Sequence, residues 1–144
     1  MNRTNLSRLL IGIVLIWNIQ CALAFLLWPG RYAPGFELAG SPGEAAVRGI
    51  GVLFMMWNVP YAVALWHPLR HRVSLFEATA MQSIGVVGES LILYYLPLSY
   101  TVLRSSISRF ILFDILGLMA LLLAVWITAP LRSRRKPMDD SPTV

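Results

Sequence analysis

The chain has 144 residues and a net charge of +5; 57% of its residues are hydrophobic and 13% are charged. A soluble domain carries about 25% charged residues, so this composition excludes a water-facing enzyme or nucleic-acid-binding domain. A single cysteine, Cys21, excludes an internal disulfide and any Cys-x-x-Cys redox or zinc pair.

A membrane span needs about 20 largely apolar residues. The first such run covers residues 9–28 and stops at Pro29-Gly30. Arg3, Arg8 and the later Ala22-Leu23-Ala24 resemble a signal peptide. The apolar run nevertheless continues through Trp28 to full spanning length, which reads as a retained first helix. The second run covers residues 44–66. Ser41-Pro42-Gly43-Glu44 before it has the pattern of a capping box, with serine as N-cap and proline at the first helical position. Pro60 inside this run predicts a kink that frees the carbonyl of Met56, with Asn58 beside it. The third run covers residues 73–95 and stops before Pro97. The fourth covers residues 107–129, with Ser105-Ser106 as caps. Helix is the expected state throughout, since an open strand in lipid leaves its backbone unpaired. The expected fold is therefore an all-α membrane protein, a four-transmembrane-helix antiparallel bundle over residues 1–131. A basic and then disordered cytoplasmic tail, residues 132–144, follows it.

Basic residues predict the orientation. Arg3, Arg8, Arg70, Arg72, Arg132, Arg134, Arg135 and Lys136 fall on one side; Arg31, Arg48, Arg104 and Arg109 fall on the other. The positive-inside rule then puts both termini in the cytoplasm. Compact loops and the lack of a targeting signal point to a bacterial plasma membrane. At these positions the cations read topology and touch anionic lipid rather than nucleic acid.

Ionisable residues inside spans cost about 2.5–3.5 kcal/mol each on insertion scales and require a reason. In each span the small and polar residues recur at intervals of 3 and 4. The stripes are Ile11, Leu15, Asn18, Ala22 and Phe25; Arg48, Gly51, Met55, Asn58 and Ala62; Ala78, Gln82, Gly85 and Glu89; and Asp114, Gly117, Leu121, Ala124 and Thr128. Such stripes form the packing faces of a membrane bundle. By depth, Arg48, Glu89 and Asp114 form a cluster toward the outer face, with Asn18 near its floor and Arg109 joining from the rim. Two readings of the cluster stand. Arg48 neutralises the carboxylates and pins three helices together, or the group is a ligand, cation or proton site opening outward. Trp17 and Trp57 lie mid-membrane, where they pack or line a cavity. Glu77 is within reach of Arg70 and Arg72 for a surface ion pair. His67 and His71 lack the carboxylates that would make them a metal site, and no metal or cofactor is expected.

Arg48-Gly49-Ile50-Gly51 at the start of the second span, after a loop containing Pro and Gly, resembles the second helix of small DoxX-like four-span proteins. The resemblance implies a four-helix bundle and, in the named members, a link to quinone-coupled redox chemistry. It carries over no catalytic residue. The spans also hold no paired cysteines or histidines, which argues against an oxidoreductase. The leading functional expectation is a non-enzymatic accessory subunit or binder of a lipophilic, quinone- or lipid-like molecule. Its partners would be membrane lipids and a membrane protein or a second copy of itself. The alternative is an oligomeric transporter or proton-coupled carrier using Arg48, Glu89 and Asp114.

Overall fold

The computed structural model describes residues 2–129; the basic cluster and tail expected over residues 132–144 lie outside the described residues. The described residues are helical and contain no strand. Helix α1 spans Arg3–Leu27, and a short α2, Pro29–Tyr32, runs into a 3-10 turn, Ala33–Phe36. Helix α3, Gly40–Trp57, is followed at once by α4, Val59–Trp66; α5 spans Arg72–Tyr95 and α6 spans Thr101–Thr128.

Three segments are long and apolar enough to cross a membrane: α1, the combined Gly40–Trp66 and α6. Only 28%, 22% and 17% of their most apolar windows is buried inside the fold, so most of that apolar surface faces outward. The expected third span forms α5, a helix of 24 residues, but it is not among the three. Glu77, Gln82 and Glu89, with four serine or threonine residues, dilute its apolar character. Many of its outward positions are still apolar, with Ile84, Val87 and Leu91 exposed beside Glu77 and Ser90.

The kink expected from Pro60 is a full break. Pro60 has no N–H to offer, so the ladder is interrupted and the chain restarts as α4. Asn58 sits at the break and bridges it: its backbone N–H points to Phe54 O and Met55 O, and its side-chain amide donates to Phe54 O at 2.7 Å. The break changes how the second segment packs. Helix α4 packs on both α1 and α5, whereas α3 packs on α1. Helix α6 joins α1 to α5. The helices therefore close into a ring in the half where α1 begins, around Ile11, Leu15, Tyr61, Ala64, Leu75, Ala78, Leu121 and Ala124. In the other half the ring is open between α3 and α5. The α2 and 3-10 segment crosses this far end, touching α3 and α6. Phe25 holds it there through ring contacts of 5.1 Å to Tyr32 and 5.7 Å to Phe36.

Three of the four expected stripes largely match the buried faces. Ile11, Leu15, Ala22 and Phe25 are buried on α1, Ala78 and Gln82 on α5, and Gly117, Leu121, Ala124 and Thr128 on α6. The α3–α4 face is rotated by one position. Val47, Gly51, Asn58, Tyr61 and Ala64 are buried, while Arg48 and Ala62 are exposed. Gly51, common to the expected and the observed face, packs against α1: a Cβ there would meet Ala22 O at 3.0 Å and Leu26 N at 3.2 Å. Only glycine lets α3 come this close to α1.

Both expected caps are corrected as well. Helix α3 begins at Gly40, before Ser41, and has no side-chain cap; Gly40 enters at φ +65, which glycine adopts without cost. Helix α6 begins at Thr101, so Ser105 and Ser106 lie inside it. Its first turn is capped from a distance: Glu37 Oε1 accepts from the N–H groups of Val102 and Leu103, both at 3.2 Å. At the preceding turn, Arg104 donates to the carbonyls of Leu93 and Leu96 at 2.9 and 2.7 Å. A cation at these last carbonyls of α5 complements the helix C-terminus.

Candidate functional site

The open half of the ring encloses a cavity of about 730 Å³. It lies where α3 stands clear of α5, beyond the level at which α4 packs on α5. Helix α3 contributes Phe54 and Trp57, and α5 contributes Gly85, Gly88, Glu89 and Ile92. Helix α6 supplies Phe110, Phe113 and Asp114, and α1 supplies Asn18 and Cys21. Tyr32, Gly35 and Phe36 roof the cavity at the far end. Ile84 and Ile92 belong to the cavity wall and also to the exposed apolar surface of α5. The space therefore communicates with the outside laterally, between helices.

The polar floor is a relay of hydrogen bonds across three helices. Tyr61 Oη donates to Gln82 Oε1 at 2.5 Å. Gln82 Nε2 donates to Asp114 Oδ1 at 2.8 Å. Two glycines make room for it. A Cβ at Gly117 would meet Gln82 Nε2 at 2.9 Å, and one at Gly85 would collide with Asp114 Oδ2. Tyr61 and Gln82 are buried at 1% and 4% exposure, so the relay is shielded from solvent.

Above the floor the cavity holds polar atoms with no protein partner. Among the described residues, Glu89 Oε2, Asn58 Oδ1 and Trp57 Nε1 are buried without a hydrogen bond. All three residues line the cavity. A buried polar group without a partner costs roughly 1–3 kcal/mol, and here three such groups belong to residues lining one cavity.

Of the residues expected at the site, Glu89, Asp114 and Asn18 do share this cavity. Arg48 does not. It lies on the exposed side of α3 and pairs with Glu44 at 3.6 Å, both side chains about half exposed. The buried face of α3 runs through Val47 and not through Arg48, so Arg48 points outward. Arg109 lines the cavity, but its guanidinium is turned to Ser106 Oγ at 3.2 Å, and Arg31 lines the same mouth from the roof. No cation pairs with Glu89 or Asp114 among the described residues, where the ion pair is Arg48–Glu44. No group of three or more His, Cys, Asp or Glu side chains among them could hold a metal ion.

Tyr61 was not among the residues expected from sequence, although it follows Asn58 by three positions and continues the buried face. Phe110 and Phe113 went unread because an aromatic in an apolar run gives no sign of whether it faces lipid or a cavity. No family model, curated protein or solved structure matches this chain.

Proposed function

We propose that this chain is a four-span membrane protein that binds a lipophilic small molecule, of quinone- or lipid-like size, in the cavity between α3 and α5. The carrying observation is the lateral cavity with unpartnered polar atoms in an aromatic wall. Pockets for small molecules have this make-up, mostly apolar with a few placed polar groups, and occupy about 300–1,000 Å³. Helix α5 serves as the fourth crossing: its length of 24 residues suffices, Thr79 and Gln82 turn inward, and Ile84, Val87 and Leu91 face outward. Arg3, Arg8, Arg70 and Arg72 at the end where α1 begins, and the basic run that follows α6 in the sequence, support cytoplasmic termini.

Native mass spectrometry of protein extracted gently from its own membrane tests the binding. A retained small lipophile at fixed stoichiometry is the expected result, and bare protein over many preparations would refute it. The break at Asn58 favours a second reading, an oligomeric carrier in which α3 swings on α4. Substrate-dependent proton flux in liposomes, lost in Asp114→Asn, would select that reading.

A further inference from the structure

We infer that the head group held in this cavity is a protonated amine, so that the ligand is a lipophilic organic cation; this rests on the binding reading above. The less exposed charged side chains of the cavity are carboxylates, Glu89 and Asp114, while its two arginines are exposed. Glu89 Oε2 and Asn58 Oδ1 are buried without partners, and Asn58 as a whole is 4% exposed. Asp114 supplies a second carboxylate whose neighbour, Gln82, engages one oxygen and is itself held by Tyr61. Trp57 Nε1 is the one fully buried donor without a partner among the described cavity residues. An ammonium has N–H donors and no acceptor, so it matches Glu89, Asp114 and Asn58 Oδ1; a quinone head carries acceptors only and leaves these three unmatched.

The wall chemistry agrees. Phe54, Trp57, Phe110 and Phe113 present aromatic surface to the same space, and aromatic faces attract cations within about 6 Å. Two arginines oppose this reading and lie where they count least. Arg31 and Arg109 are exposed at the far-end mouth, where solvent and salt screen them. Glu89 and Asp114 face the low-dielectric interior, where each charge acts more strongly.

Three probes with one skeleton separate the outcomes: phenylhexylamine, phenylhexanol and phenylhexanoate. Each is measured by equilibrium dialysis against the full chain in nanodiscs of zwitterionic lipid. Gly88→Leu serves as the blocked reference; Gly88 lines the cavity and a Cβ there meets nothing within 4 Å, so the backbone accepts a side chain at this wall. The amine should bind at least about tenfold tighter than the alcohol, a difference of about 1.4 kcal/mol. That preference should vanish in Glu89→Gln, whose buried oxygen has no protein partner to lose. Equal binding of amine and alcohol, or preference for the carboxylate, overturns the cation while leaving the cavity a binding site. If no probe binds the wild type above Gly88→Leu, the binding reading fails and the inference with it.

Discussion

The Asp114 carboxylate rests against the backbone of Gly85 on the neighbouring helix, in space that any side chain would occupy. This contact sets the separation of α5 and α6 at the cavity floor and holds Asp114 where Gln82 donates to it. Gly85→Ala should force the carboxylate away and break the Gln82 bond. The expected cost is about 1–3 kcal/mol in unfolding from detergent micelles. In an Asp114→Ala background the same change should cost little or stabilise the protein, since alanine favours the helix by about 1 kcal/mol over glycine. A double-mutant cycle with no coupling between the two positions would show that the contact is unimportant.

Glu37 reaches from the far-end loop to cap α6, tying the roof of the cavity to the bundle. Glu37→Ala should lower stability by about 1 kcal/mol, the usual cost of a lost cap. Glu37→Gln keeps an acceptor and should lose less. Thermal melts of both variants in detergent check the order.

Pro60→Ala restores an N–H to the second segment and should let α3 and α4 join as one helix. Helix α3 would then lean toward α5 and narrow the opening. Spin labels at the exposed positions Leu53 and Val87, with Cys21 replaced by Ala, read this distance directly. Shortening by a few ångströms, with weaker ligand retention, is the expected outcome. An unchanged distance would mean that packing, and not proline, holds the break.

Arg48 separates the expected cluster from the observed one. Its partner is Glu44 on the exposed face, and such pairs contribute about 0–1 kcal/mol. Arg48→Gln should leave stability and ligand retention close to wild type. Loss of either would restore Arg48 to the role first expected from sequence, neutralising Glu89 and Asp114.

The helices, their approximate ends and most of the packing stripes were legible because apolar length and a spacing of 3 and 4 are local properties. The grouping of Asn18, Glu89 and Asp114 followed from depth and register alone. Arg48 misled because a stripe through Gly51 and Asn58 can begin at Val47 or at Arg48, and only packing on α1 decides between them. The cap on α6 was hidden for a similar reason. Glu37 is 65 residues from Val102, and no spacing rule links them. The break at Asn58 was readable from Pro60, but its consequence, an opening between α3 and α5, required the positions of both helices.

The most direct test of the cavity is labelling in the native membrane with a photoreactive aliphatic diazirine, followed by mapping of the modified peptides. In the wild type, label should concentrate on the segments holding Phe54 and Trp57 and on Gly88 and Glu89, above the background of lipid-facing residues such as Leu112 and Leu122. Gly88→Leu should reduce these sites to that background. Even labelling of the whole apolar surface, or cavity labelling that survives Gly88→Leu, would contradict a ligand site between α3 and α5.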